Sequence, residues 1–196
     1  EACDAVVVGP GLGGLPATRT FVRRFVKECT RPLVLDADGL NAFAGELALL
    51  NATLRQRSAA TVLTPHPGEM ARLVGATTSE VQSSRVETAR AFAAAAESLV
   101  VLKGQRTVVA RPDGWAAINP TGNPGMATGG TGDVLAGVIG ALLARGVGAW
   151  PAATAGVYVH GLAGDVAAER LGMESLLALD VVDALPEAIR RVRAAR

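Results

Sequence analysis

The sequence predicts an α/β domain: a mostly parallel sheet with helices packed on both faces. Short, continuous apolar runs recur as "DAVVVG", "PLVLDAD" and "VVLKG", the composition of strands buried on both faces. Segments with helical spacing separate them, and strand-helix alternation in that order builds βαβ units. Glycines collect where strands give way to helices, which marks the turns.

Taken in order, residues 4–9 read as a fully buried strand. "LPATRTFVRRFVKECT" (15–30) places Phe21, Val22, Phe25 and Val26 on one helical face, with Pro16 suited to the first turn. Residues 32–38 form the next buried strand, and "GLNAFAGELALLNATL" follows as a loop and helix. "AATVLTPHPGEMARLVG" (59–75) reads as a strand ending near Thr64, a turn with two prolines, then a helix. An alanine-rich helix is predicted over 78–99, capped by Thr78 or Ser79. Residues 100–104 form a strand, and 107–120 a hairpin turned by "PDG". Beyond the glycine-rich stretch 122–132, helical segments are expected at about 133–145, 151–171 and 179–194.

Composition narrows the function classes. With 196 residues, 49% of them hydrophobic, the chain suits one domain with a real core, spanning 1–196. A formal charge of +1 and 4% aromatic residues give no basis for binding nucleic acid, and no charge-based pull toward a membrane surface. The longest apolar run, 134–144, is too short to span a bilayer. Cys3 and Cys29 lack metal-ligand spacing, and no disulfide is expected in the default compartment, the cytoplasm. The chain begins with Glu1 and enters a strand almost at once, so it reads as the C-terminal portion of a longer polypeptide.

Two glycine-rich stretches could carry chemistry. "VVVGPGLGG" contains G-x-G-x-x-G at Gly9, Gly11 and Gly14, with Asp36 and Asp38 downstream, as a redox Rossmann unit would. Pro10 removes an N–H from that turn, so the alternative is a tight strand-to-helix connection. "NPTGNPGMATGGTGDVLAG" is richer. Its glycines run into an apolar helix whose first residues are read as Gly132 and Asp133. A helix N-terminus supplies unpaired N–H groups and the positive end of the dipole, and glycine lets the backbone approach an anion closely. Asp133 is either a helix cap, worth about 1 kcal/mol, or the base for phosphoryl transfer to a hydroxyl. The stretch lacks the lysine of a Walker P-loop.

Other candidates are weighed the same way. Glu69 in "HPGE" could be a first-turn acid favoured by the helix dipole. "KGQRT" (103–107) reads as a hairpin turn, yet Lys103 is one of two lysines in an arginine-rich chain, which hints that a compact ammonium is wanted. Asp36 and Asp38 either orient substrate or water, or cap the following helix. His160 reads as a packed helix residue.

"GGTGD" is similar to the GxGD signature of ribokinase-like small-molecule kinases. Together with "VVVGPGLG", "LDADGLN", "LTPHPGEM" and "VLKGQRTVV", in that order, it resembles a narrower family, the ADP- or ATP-dependent NAD(P)H-hydrate dehydratases. The resemblance implies a ribokinase-like fold, assembly as a homo-oligomer and a repair reaction using ADP and Mg2+. The substrate would be the S epimer of hydrated NADH or NADPH, whose ring hydroxyl is phosphorylated and then eliminated as phosphate. A functional link to an epimerase would follow, since damage yields both epimers.

By the same resemblance, Asp133 is the base and a substrate contact. Gly130, Thr131 and Gly132 line the anion hole, and Gly11, Gly13 and His66 contact the hydrated nucleotide. Lys103, Gly104, Gln105, Arg106, Thr107 and Gly132 bind the adenine nucleotide. Glu69 matches the acid of the kinases' N-x-x-E element that organises Mg2+, but His66 stands where that element has asparagine. Family members also carry strands and helices ahead of "VVVGPGLG". Two other readings remain open here: a ribokinase-like kinase of a vitamin precursor or small alcohol, and a non-catalytic adenine-nucleotide-binding module.

Overall fold

A computed structural model describes residues 3–195. Six strands form one sheet in sequential order: β1 (Val6–Val8), β2 (Leu33–Leu35), β3 (Thr61–Leu63), β4 (Leu99–Leu102), β5 (Val108–Ala110) and β6 (Ala116–Ile118). The first four are parallel, and β5 and β6 each run antiparallel to the strand before.

The pleat divides the core. Leu33, Leu35, Leu63, Val100 and Leu102 face a layer made by α1 (Pro16–Glu28), α2 (Asp38–Asn41), α3 (Leu47–Arg55), α4 (Pro67–Val74), α5 (Thr78–Ser83) and α6 (Arg85–Ala96). Val34, Val62, Leu99 and Val101 face the other way, onto α7 (Thr131–Ala144) and α8 (Ala149–Leu171). α9 (Ala178–Ala194) packs on α8. The two-faced α/β architecture expected from the sequence is therefore present. Cys3 and Cys29 are free thiols.

Local readings change in three places. β1 is not fully buried: it lies at the margin of the described sheet, with Val7 38% exposed. A short valine run looks the same in a central strand and in a marginal one. The 78–99 helix breaks at Ser84, whose φ of −136° leaves the helical region; serine side chains compete for backbone hydrogen bonds. Its cap is Thr77 rather than Thr78 or Ser79, because Thr77 and Glu80 close a reciprocal capping box. The glycine-rich helix, α7, starts at Thr131, one residue before the reading from sequence.

This topology brings chemistry to one edge. β1 to β4 end at Gly9, Asp36, Thr64 and Lys103, all at the carboxyl margin of the parallel strands, where open α/β sheets place ligands. The antiparallel β6 delivers Asn119 and the glycine-rich loop to the same margin.

Candidate active site

The centre of the site is the start of α7. Gly130 is its N-cap at φ +89°, a conformation that favours glycine. The hydrogen bonds of this turn run from the N–H groups of Asp133 and Val134 to the Gly130 carbonyl. Among the described residues, the N–H groups of Gly130, Thr131 and Gly132 have no protein acceptor. They are free to meet an anion. The Thr131 hydroxyl is not: it is buried and donates to the carbonyls of Met126 (2.8 Å) and Thr128 (2.9 Å). Thr131 thus offers its backbone, while its side chain fastens the loop.

Asp133 does not cap the helix. Gly130 holds that position, and the exposed Asp133 carboxylate makes no hydrogen bond or ion pair among the described residues. An unpaired acid beside a row of free N–H groups can accept a proton from a hydroxyl held there.

Lys103 closes the other side. A Cβ placed on Gly132 would lie 3.2 Å from Lys103 Nζ, so the ammonium sits directly against the anion hole. Lys103 is anchored from behind by Asp36, with Nζ 2.5 Å from Oδ1, and Glu69 Oε2 lies 3.9 Å away. Asp36 is fully buried and its Oδ2 has no partner. Asp36 thus positions a lysine instead of capping α2. Asp38 belongs to a different contact, accepting from the Gly13 N–H at 2.8 Å.

His66 is the N-cap of α4. Its Nδ1 accepts from the N–H groups of Gly68 (3.0 Å) and Glu69 (3.3 Å), and Glu69 Oε2 accepts from the His66 N–H at 2.7 Å. With Nδ1 acting as acceptor, the neutral ring carries its proton on Nε2, which faces Glu69 Oε1 at 3.3 Å. Burial pushes the His66 pKa below its usual value; Glu69 opposes the shift, and Lys103 and Arg72 add to it. Both Glu69 oxygens are thus directed at His66. Among the described residues no three His, Cys, Asp or Glu side chains converge to hold a metal ion.

The two loops of the first glycine motif part company. Gly9 has φ +134°, and a Cβ there would stand 1.7 Å from the Asp36 carbonyl, so this glycine serves strand-to-strand packing. Gly11 and Gly13 also have positive φ, but open space surrounds them, at the rim of the site. A redox Rossmann sheet returns to its first strand after the third, so that the fourth lies beside the first; here β4 pairs with β3, and that reading falls. The 103–107 turn joins two antiparallel strands: Gly104 has φ +131°, Thr107 Oγ1 donates to the Gly104 carbonyl, and Gln105 and Arg106 are exposed.

A sequence profile of the NAD(P)H-hydrate dehydratase family matches residues 1–187. The chain belongs to that family. It is 47% identical over 193 residues to a bifunctional NAD(P)H-hydrate repair enzyme of Thermofilum pendens, covering 98% of this chain and 36% of the relative. It is 44% identical over 183 residues to the ADP-dependent (S)-NAD(P)H-hydrate dehydratase of Neisseria meningitidis, covering 92% and 61%. The crystal structure of the Bacillus subtilis ADP/ATP-dependent NAD(P)H-hydrate dehydratase, co-crystallised with ATP/Mg2+, superposes with a TM-score of 0.87 at 36% identity, covering 97% of this chain and 65% of that one. The chain thus spans about a third of the bifunctional relative and under two thirds of the monofunctional one. The fold is the ribokinase-like one expected.

Within this dehydratase-family fold, sequence reasoning undervalued α8. His160 is packed, as expected, but its Nε2 donates to the Thr131 carbonyl at 2.9 Å, inside the first turn of α7. Asp165, which the sequence did not single out, binds the loop ahead of the anion hole. The available signal was "HGLAGD", two glycines within one turn of a helix, which calls for a packing reason.

Proposed function

We propose that this chain carries the catalytic site of an ADP-dependent (S)-NAD(P)H-hydrate dehydratase. The observation that carries the reading is the free Asp133 carboxylate on the same helical turn as the unpaired N–H groups of Gly130, Thr131 and Gly132, with Lys103 Nζ against Gly132. Family membership and the names of the relatives supply the substrate.

In this reading the three N–H groups and Lys103 hold the transferring phosphoryl, where preorganised donors contribute most. Asp133 takes the proton of the ring hydroxyl as its oxygen bonds to phosphorus and the bond to the donor phosphate breaks. The phosphorylated oxygen then leaves with its phosphate, together with a ring proton, and the dihydropyridine is restored. Gly11, Gly13 and the exposed edge of His66 contact the hydrated nucleotide. The 103–107 turn, with Gly104, Gln105, Arg106 and Thr107, receives the adenine nucleotide. Mg2+ fits as an ion carried on the nucleotide phosphates, since Mg2+ commonly keeps waters and phosphate ligands. Glu69, tied to His66, would at most bind it through a water.

The relatives named as bifunctional NAD(P)H-hydrate repair enzymes support a functional link to a second repair activity, which in this reading is an epimerase. A homo-oligomer and a cytoplasmic setting complete the proposal; among the described residues no helix is long and apolar enough to cross a membrane.

The test is the recovery of reduced-nicotinamide absorbance from hydrated NADH with ADP and Mg2+, using the full-length protein that contains this chain. ADP-dependent recovery that is lost in Asp133→Asn supports the proposal. Accumulation of a stable phosphate ester would make the protein a kinase instead, and ADP binding without any turnover would make it a binding module.

A further inference from the structure

The glycine-rich loop that leads into the anion hole is only partly fixed by packing. No residue from 121 to 130 is fully buried, although Met126 rests on the apolar cluster of α8 and α9 and a Cβ at Gly125 would stand 2.4 Å from the Met173 carbonyl. A phosphoryl site misplaced by about 1 Å can lose on the order of a hundredfold in rate, so the loop must be fixed by other means as well. One face of α8 supplies them.

The contacts follow helical spacing. The Tyr158 carbonyl accepts from Thr121 Oγ1 at 2.9 Å. One turn on, a Cβ at Gly161 would lie 2.3 Å from Thr121 Oγ1, and a Cβ at Gly164 would lie 2.2 Å from Met126 Sδ. Only glycines let the loop settle onto the helix there. Asp165 stands beside Gly164 on this face. Its Oδ2 accepts from the Gly122 N–H at 2.8 Å, and its Oδ1 from Asn123 Nδ2 at 3.0 Å.

From Asp165 the ties run unbroken to the reaction centre. Asn123 Oδ1 accepts from the Gly125 N–H at 3.0 Å, which sets the short 3₁₀ turn Pro124–Met126. The Met126 carbonyl accepts from Thr131 Oγ1, and the Thr131 carbonyl accepts from His160 Nε2. Both ends of the loop are therefore held by side chains of α8, five residues apart.

We propose that Asp165 is a positioning residue for phosphoryl transfer, acting with His160 through the 121–131 loop to hold the N–H groups of Gly130 to Gly132 in register with Asp133. Neither residue touches the reacting atoms. The proposal rests on the phosphoryl-transfer reading above, since it assigns the loop its purpose. Supporting groups of this kind set how precisely a site is held.

An isosteric exchange tests it. Asp165→Asn leaves the two amides of the pair with one acceptor too few, and Asn123→Asp sets two carboxylates against each other. Combining the two restores every bond. The amide on α8 then accepts from the Gly122 N–H and donates to the carboxylate on the loop, whose other oxygen accepts from Gly125. In the full-length protein, each single substitution is expected to lower kcat with ADP about 10- to 100-fold. The KM for hydrated NADH should stay within about twofold and the melting temperature within a few degrees, because the pair lies outside the core. The exchange should recover kcat to within about threefold of the parent. Parent-like kcat in Asp165→Asn, or an exchange no better than the poorer single variant, would overturn the proposal. If the parent shows no dehydration, the ADP Kd by calorimetry carries the same comparison. Weakening in the singles and recovery in the exchange would then uphold the brace while the dehydratase reading fails, and equal Kd values in all four proteins would overturn it.

Discussion

Lys103 Nζ lies 2.5 Å from Asp36 Oδ1, joining the ends of β4 and β2 behind the anion hole. Asp36 is fully buried, and Lys103 keeps 15% of its side chain exposed. Removing one partner of such a pair leaves the other charged and desolvated. Lys103→Met is therefore expected to cost about 3–5 kcal/mol, since it strands a buried carboxylate. Asp36→Asn should cost less, about 1–3 kcal/mol, because Lys103 can still reach Glu69 and solvent. Urea unfolding of both variants checks the order. ADP affinity should fall in both, and more in Lys103→Met.

The glycines of the first motif should respond differently to the same change. Gly9→Ala combines positive φ with a Cβ that would meet the Asp36 carbonyl at 1.7 Å, and a loss of about 3 kcal/mol or more is expected. Gly11→Ala has φ +71° but open space, so its cost should be about 1 kcal/mol. Denaturant midpoints measure the difference. Equal costs would mean that Gly9 does not abut Asp36.

These residues also show what could be read in the sequence. The anion hole was legible because its signal is local: a glycine run, an acid and an apolar helix are contiguous from Gly129 to Ala144. The anchoring of Lys103 by Asp36 was not, since the partners are 67 positions apart and meet only because β2 and β4 end at one sheet margin. The alternation of strands and helices was visible, because each apolar run is contiguous. Asp165 was missed for the reason that hid the pairing of Lys103 with Asp36. Its partners, Gly122 and Asn123, lie more than forty positions away, and only the glycines beside it hinted at close packing.

Stability should rise with pH across the mildly acidic range, and His160 should account for much of the slope. Burial is the main cause that lowers its pKa to about 4; Lys103 adds to this, and the bond to the Thr131 carbonyl opposes it. Between about pH 4 and 6.5 the unfolded chain binds a proton that the folded chain does not. The stabilisation is thus complete above about pH 6.5 and is lost as pH falls toward 4. Its ceiling is about 3 kcal/mol, the shift converted at 1.36 kcal/mol per unit. His66, shifted the same way, adds to the slope. Urea unfolding at pH 4.5, 5.5 and 7 should show a steeper fall in the parent than in His160→Gln.

Gly132→Ala should separate stability from activity. Alanine in the first turn of α7 gains helix propensity of up to about 1 kcal/mol. Its Cβ would stand 3.2 Å from Lys103 Nζ, at the mouth of the anion hole. The ammonium is held by Asp36 and can yield only a few tenths of an ångström. Unchanged or slightly raised melting, with ADP-dependent turnover down at least about tenfold, is the expected pair of results. Full turnover would mean that a phosphoryl group does not use this N–H row.

Asp133→Asn makes the sharpest contrast between folding and chemistry. The carboxylate is exposed and has no partner, so its removal forfeits only its attraction to the N-terminus of α7, about 0.3–1 kcal/mol. As a general base it would contribute about 10²–10⁴ in rate. The expected variant therefore melts within a few degrees of the parent and binds ADP normally, while kcat for hydrated NADH falls by at least about a hundredfold. The ADP measurement matters most. A carboxylate so near the anion hole repels the phosphates it faces, so its neutralisation should leave ADP binding unchanged or tighter. Weaker ADP binding in Asp133→Asn would assign the residue to nucleotide capture instead, and the base for the ring hydroxyl would have to be sought elsewhere.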